Sequence, residues 1–115
     1  MIGRLHAVVL DCPDPLALAE FYRAVLGGHL EPDDEWIDLN LPAGAGRVSF
    51  QRSPGYVAPV WPSGDGDQQL HLDVAVSDFD VAHAQLLSLG ARHIESHDGF
   101  RVYVDPVGHP FCTVK

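Results

Sequence analysis

The feature that most constrains the fold is an internal repeat. Each half of the chain opens with an apolar, β-branched stretch, continues with helical apolar periodicity that ends at Leu-Gly, and finishes with three short strand-like stretches. His6 and His71 each lie near the start of the two opening stretches, which fixes the alignment of the two copies. The first copy comprises strands 4–12, 29–31, 36–40 and 47–52 with helix 15–26; the second comprises strands 70–76, 91–96, 100–104 and 111–114 with a helix ending at Leu89.

Two copies of strand–helix–strand–strand–strand predict an α+β protein made of two βαβββ modules. We expect one domain of residues 1–115, with modules 1–52 and 70–115 and a connector 53–69 that is rich in Pro and Gly. Asp14, followed by Pro15, is typical of a helix start, and Ser77 is the predicted start of the second helix. The dipeptide Asp98-Gly99 predicts a tight hairpin turn.

Charge and cysteine content exclude several classes of function. The 115 residues include 7 Lys and Arg against 16 Asp and Glu, a net charge of −9 that disfavours nucleic acid and anionic membrane surfaces. No apolar run approaches the roughly 20 residues that cross a bilayer. The two cysteines, Cys12 and Cys112, are far apart and show no metal or redox spacing. We therefore expect a soluble cytoplasmic protein with reduced thiols.

Alternation along the strands divides them into two faces. The purely apolar sets, for example Leu5, Ala7 and Val9, are expected to pack against the helices. The opposite face is too polar for a dry core and too apolar for ordinary surface, which predicts a half-open pocket for a small molecule. Its predicted members are His6, Gln51, His71, Asp73, Arg101, Tyr103 and Cys112.

Three segments resemble the vicinal oxygen chelate superfamily. They read HAVVLDCPDPLALAEFYRAVLGG, HLDVAVSDFDVAHAQLLSLGA and YVDPVGHPF. This superfamily contains glyoxalase I, extradiol dioxygenases, fosfomycin-resistance enzymes and bleomycin-resistance proteins, and the chain is most similar to its small glyoxalase-like branch. The resemblance implies paired βαβββ modules whose curved mixed sheets enclose a shared cleft, and a homodimer.

The resemblance also implies a set of metal ligands. Two lie in the opening strands, here His6 and His71, and one lies in the last strand of the first module, here Gln51. The fourth is normally a Glu in the final strand, where this chain has Cys112. Such a site would hold a divalent metal such as Zn, Ni, Fe or Mn.

A second ligand set is an alternative, in which His6 and His71 combine with Asp73 as two imidazoles and one carboxylate. Proton transfer of the glyoxalase I type needs a carboxylate beside the metal. Extradiol ring cleavage and fosfomycin-type thiol addition need one as well. Since Gln51 and Cys112 stand where Glu is usual, these reactions are disfavoured unless Asp73 supplies the carboxylate.

The favoured interpretation is therefore a glyoxalase/bleomycin-resistance-like protein that binds a small molecule without the usual carboxylate ligands. The negative charge would attract a cationic ligand. Tyr56, Trp61 and Tyr103 are candidate stacking walls, and Arg101 is either a clamp for an anionic substrate or a solvated charge. The alternative is a divalent-metal-dependent lyase or dioxygenase that uses His6 and His71.

Overall fold

The computed structural model describes residues 1, 3–60 and 70–115. They form two compact units, Met1–Tyr56 and Val57–Lys115. In the first unit the strands are β1 (Val8–Cys12), β2 (His29–Glu31), β3 (Trp36–Asn40) and β4 (Arg47–Arg52), with helix α1 (Pro15–Leu26) and a short 3₁₀ turn at Pro42–Gly44. In the second they are β5 (Leu72–Ala75), β6 (Arg92–His97), β7 (Phe100–Val104) and β8 (Pro110–Val114), with helix α2 (Phe79–Ser88).

The two units repeat one topology. The strand order is β1-β4-β3-β2 in the first sheet and β5-β8-β7-β6 in the second. In each sheet the opening strand pairs in parallel with the last strand, and the remaining pairs are antiparallel. A parallel pair needs a long crossover connection, which the helix and the two intervening strands supply. The predicted α+β class with two βαβββ modules is confirmed.

Local signals position α1 as expected. Asp14 caps the helix by accepting a hydrogen bond from the backbone N–H of Ala17, and Pro15 occupies the first turn, where no donor is needed. The helix ends at Gly27, whose φ of 75° favours glycine. Its buried face packs on the first sheet, where the Tyr22 ring stacks on Phe50 with centroids 5.7 Å apart.

Helix α2 begins one residue later than predicted. Asp78, not Ser77, is the N-cap, and its carboxylate accepts hydrogen bonds from the N–H groups of Asp80 and Val81. Asp78 itself has an extended backbone, so its side chain is the one that reaches the first helical donors. No helix in the part of the chain described here has the length and apolar character needed to span a membrane.

The face prediction for β1 is wrong by one residue. Leu10 pairs with Phe50, and both are buried beneath α1, so Val9 lies on the other side of the sheet. The side that the unit's own helix does not cover is called the open face below. Because side chains alternate, a shift of one position exchanges the two faces of a whole strand. His6 precedes β1, which begins at Val8, and is exposed.

Candidate functional site

A cavity of about 520 Å³ lies on the open face of the second sheet. Asp73, Cys112 and Val102 are neighbours across β5, β8 and β7, and their shared register places them on one face. The loop between β6 and β7 closes one side with Asp98. We call this concavity the second-unit cavity; its polar lining consists of His71, Asp73, Glu95, His97, Asp98 and Cys112, and its apolar lining of Phe100, Val102 and Val114.

Three side chains of the types that ligate metals meet in this cavity. The candidate ligand atoms of His71, Asp73 and Cys112 all lie within 4.8 Å of one another. His71 Nε2 is 3.4 Å from Asp73 Oδ1, and these two side chains are substantially exposed whereas Cys112 is buried. Sequence reasoning placed His71 with Cys112 in one ligand set and with Asp73 in the other, and the structure brings all three together.

A second acid–imidazole pair lines the same cavity. His97 Nε2 is 3.1 Å from Glu95 Oε1, and the His97 ring stacks on Phe100 with centroids 4.6 Å apart. Neither Glu95 nor His97 was predicted as a site residue. Glu95 and His97 are residues i and i+2 of one strand, so the alternation of side chains places both on the same face. The sequence does not show whether that face is the open one or the one beneath the helix.

The electrostatics of the cavity are negative. Asp73, Glu95 and Asp98 contribute three carboxylates, and the lining contains no Lys or Arg. Burial raises the pKa of the Cys112 thiol, and the charges of Asp73 and Glu95 raise it further. The thiol is therefore protonated at neutral pH, and a bound cation would favour its ionised form.

The donor set fits a borderline or soft divalent metal. An imidazole nitrogen, a carboxylate oxygen and a thiolate sulfur are all zinc ligands, whereas thiolate is a poor partner for Mg or Mn. His71, Asp73 and Cys112 would be the residues that hold such an ion. Binding would release the thiol proton, so the occupancy would rise with pH.

The two predicted ligands of the first unit have different surroundings. Gln51 is exposed on the open face of the first sheet, where it pairs with Trp36 across β3 and β4. His6 Nε2 lies 2.9 Å from Arg47 Nη1. A guanidinium only donates, so this ring nitrogen is the acceptor and its lone pair is engaged. A divalent ion on His6 would also face the Arg47 charge.

Sequence reasoning missed a polar network on the open face of the first sheet. Asp38 accepts hydrogen bonds from Ser49 Oγ at 2.6 Å and from Trp36 Nε1 at 2.8 Å, and lies 3.9 Å from Arg47. Partial burial acts to raise the pKa of Asp38, but the two hydrogen bonds and the Arg47 and His6 charges outweigh it and lower the pKa. Alternating polar residues in WIDLN and RVSFQR were the signal for this network.

Arg101 and Tyr103 lie on the helix-covered face of the second sheet, not on the face of Asp73 and Cys112. Tyr103 is fully buried, and its hydroxyl lies 2.9 Å from His83 Nδ1 of α2. Arg101 donates to Asp80 Oδ1 at 2.8 Å. The physical reason is the register of β7, in which Val102 is the residue beside Cys112, so its two neighbours face the helix.

The other two aromatic residues predicted to stack on a ligand, Tyr56 and Trp61, belong to the connector. Trp61 lies outside the described residues. Tyr56 is half-buried at the end of the first unit, and its backbone N–H donates to the Ser53 carbonyl in a turn.

A buried carboxylate orders the turn that leads into β8. Asp105, 1% exposed, accepts hydrogen bonds from the backbone N–H groups of Val107 and His109 and lies 2.7 Å from His109 Nδ1. This turn sets the position at which β8 begins. It therefore helps to position Cys112 in the cavity wall.

Comparisons with known proteins agree with this architecture. A model of the family described as the glyoxalase-like domain matches residues 7–114. A glyoxalase family protein from Enterococcus faecalis is 21% identical, with a TM-score of 0.68 over 99% of this chain and 98% of that one. A comparison with curated proteins finds no significant match.

Two further solved structures share the fold at low identity. One is a glyoxalase/bleomycin resistance protein/dioxygenase family enzyme from Burkholderia phytofirmans PsJN, 16% identical, with a TM-score of 0.76 over 96% of this chain and 97% of that one. The other is the fosfomycin resistance protein FosX from Listeria monocytogenes, 13% identical, with a TM-score of 0.74 over 99% and 93%. The chain belongs to the glyoxalase-like domain family, within the vicinal oxygen chelate superfamily that its sequence resembles.

Proposed function

We propose that this protein binds a small cationic molecule with an apolar part in the second-unit cavity. The observation that carries the proposal is the lining of that cavity, where three carboxylates and two imidazoles surround an apolar floor and no basic side chain of Lys or Arg is present. A ligand cation would be attracted by Asp73, Glu95 and Asp98, and its apolar part would contact Phe100 and Val102.

The wider charge and the family support this assignment. The net charge of −9 raises the local concentration of cations around the protein. Phe100 is 37% exposed, which leaves part of its ring open to a ligand. The similar protein from Burkholderia phytofirmans is described as belonging to a family that includes bleomycin resistance proteins.

The proposal is tested with three ligands of one shape and different charge: benzamidine, benzamide and benzoate. Binding is measured by calorimetry on untagged protein treated with a chelator. We expect benzamidine to bind and benzoate not to bind, with an affinity that falls as salt is added. Equal binding of benzamide and benzamidine would contradict the role of charge.

Variants locate the binding site. Asp73→Asn and Glu95→Gln each remove one charge from the cavity, and each should weaken benzamidine binding by about two- to fivefold, as for a partly exposed ion pair. Asp33→Asn is the matched control, since Asp33 is exposed and lies in the first unit. An equal loss in the control would show that only the overall charge matters.

We propose as a second candidate that the cavity binds a divalent metal through His71, Asp73 and Cys112. It is favoured by the 4.8 Å grouping of their ligand atoms. When bound, such an ion supplies a Lewis acid that polarises an oxygen of the substrate. His71 and Asp73 would hold the ion together with the Cys112 thiolate, and the thiol proton would pass to water.

The metal proposal has its own readout. Untagged protein is incubated with Zn, Ni, Mn or anaerobic Fe(II), desalted, and its metal content determined. We expect at least one equivalent of Zn or Ni and little Mn, with the metal reduced by one equivalent in His71→Asn and unchanged in the control His29→Asn. Equal metal content in the two variants would refute the site.

We also propose, from the family alone, that the protein is a homodimer. Light scattering across a range of protein concentrations measures its mass directly. A monomer at the highest concentration would refute this.

A further inference from the structure

Two histidines lie close together on the helix-covered face of the second sheet, the face opposite to the cavity residues. His83 belongs to α2 and His93 to β6, and their ring centroids are 5.2 Å apart with planes at 78°. His93 is the cross-strand neighbour of Tyr103, whose ring lies within 5.8 Å of both imidazoles. The packing of α2 against β6 therefore brings the two imidazoles together.

Each imidazole commits one ring nitrogen to a hydroxyl group. His83 Nδ1 lies 2.9 Å from Tyr103 Oη, and His93 Nε2 lies 2.9 Å from Ser96 Oγ. Among the described residues, no hydrogen bond involves the other nitrogen of either ring, His83 Nε2 or His93 Nδ1. Histidines that ligate metals commonly have this arrangement, in which the far nitrogen is held by an outer partner and the near one binds the ion.

The spacing of the rings matches a tetrahedral ion. With a zinc–nitrogen distance of about 2.0–2.1 Å and a nitrogen about 1.1 Å from its ring centroid, two imidazoles on one tetrahedral ion have centroids about 5.2 Å apart. A square arrangement with the same bonds would bring the centroids to about 4.5 Å. The observed separation is 5.2 Å.

The site is accessible to solvent. His93 is exposed and His83 is half-buried, so an ion can enter and water can complete its coordination. The Tyr103 hydroxyl, fully buried, fixes the His83 ring, and this restriction reduces the entropy lost on binding.

We propose that His83 and His93 form a zinc site separate from the second-unit cavity. His83 Nε2 and His93 Nδ1 are the ligands, and Tyr103 and Ser96 are positioning residues. The inference does not depend on the proposed function, since it uses none of the cavity residues.

The test isolates this site from the cavity. Zn²⁺ alone is titrated by calorimetry into the untagged Cys112→Ala/Asp73→Asn chain, which lacks two of the three cavity donors. We expect one equivalent of zinc to bind. His93→Phe in the same background keeps the ring that packs on Tyr103 but removes both nitrogens, and should weaken binding at least tenfold. His29→Phe, a change of an exposed strand histidine in the first unit, should leave binding unchanged.

Two results would overturn the proposal: no zinc binding by the folded background chain, or equal affinity with and without His93. An equal loss in the His29→Phe control would also overturn it. If the background chain does not fold, His93→Phe is introduced into the wild-type chain, where it must remove one equivalent of zinc. A shift of the His83 ring ¹⁵N resonances on zinc addition, absent in His93→Phe, gives a readout that packing alone would not produce.

Discussion

Asp105 is expected to be one of the most sensitive polar residues of the second unit. Asp105 is 1% exposed, and its carboxylate accepts hydrogen bonds from the backbone N–H groups of Val107 at 2.9 Å and His109 at 3.0 Å. The carboxylate also lies 2.7 Å from His109 Nδ1. Asp105→Ala removes all three and leaves polar groups of the turn without their acceptor. A hydrogen bond to a charged group contributes about 1.5–3 kcal/mol, and bonds that share one carboxylate are not additive. We expect a loss of about 3–5 kcal/mol in the free energy of unfolding.

Asp105→Asn separates the effects of shape and charge. Both backbone N–H groups donate to Oδ1, which an amide oxygen replaces at the same position. The change therefore keeps these two bonds, loses their charge assistance and alters the contact with His109. We expect a smaller loss of about 1–2 kcal/mol. Asp98→Ala is the control, an exposed turn residue of the same unit, with an expected change within about 0.5 kcal/mol.

Urea unfolding followed by circular dichroism gives the free energies. With a slope of about 1–3 kcal/mol per molar urea, the alanine variant should unfold at least about 1 M earlier than the wild type. If that variant is unfolded without urea, Asp105→Asn against Asp98→Ala is the decisive comparison. A loss below about 1 kcal/mol in Asp105→Ala, or equal losses in both Asp105 variants, would refute the reasoning.

Three further predictions concern single positions. Gly28→Ala should destabilise the protein by about 2–4 kcal/mol in urea unfolding, since the φ of Gly28 is 98° and a Cβ there would overlap the backbone oxygen of Asn40. The control Gly55→Ala should be nearly neutral, because no neighbouring atom lies within 4 Å of a Cβ added at Gly55. Thr113→Val should be neutral or stabilising by up to about 1 kcal/mol, because the Thr113 hydroxyl is buried with no hydrogen bond among the described residues; a loss above that size would reveal a partner. Cys112 should react with a thiol reagent at a rate that rises with pH through an alkaline midpoint, because its raised pKa keeps the thiol protonated. Asp73→Asn should move that midpoint to lower pH, since the Asp73 charge is one cause of the raised pKa. An unchanged midpoint would exclude Asp73 as a cause.

Element order could be predicted because it depends on short-range signals. Asp14 and Pro15 start α1, Gly27 ends it, and Asp98-Gly99 makes the turn between β6 and β7 as expected. Each of these signals acts through dihedral preferences or hydrogen bonds a few residues away, so the printed sequence contains them in full. The start of α2 was misplaced by one residue, because Ser77 and Asp78 are both good caps and only the extended backbone of Asp78 decides between them.

The candidate site could be predicted only in part. His71, Asp73 and Cys112 were selected from the sequence, and the structure brings them within reach of one ion. The selection failed for Arg101 and Tyr103 because polarity was used to assign the open face. In the folded unit both side chains lie beneath α2. There the Arg101 guanidinium donates a hydrogen bond to Asp80, and the Tyr103 hydroxyl is hydrogen-bonded to His83.

The sequence by itself determined the repeat, the order of helices and strands, and the negative charge, because local periodicity, turn residues and composition are properties of neighbours along the chain. Only the tertiary structure decided which face of each strand is open and which donors meet. Strand pairing sets Val102 beside Cys112 and Leu10 beside Phe50, and a shift of one residue would have exchanged those faces. That register depends on contacts between residues far apart in the sequence, where alternation alone allows either choice.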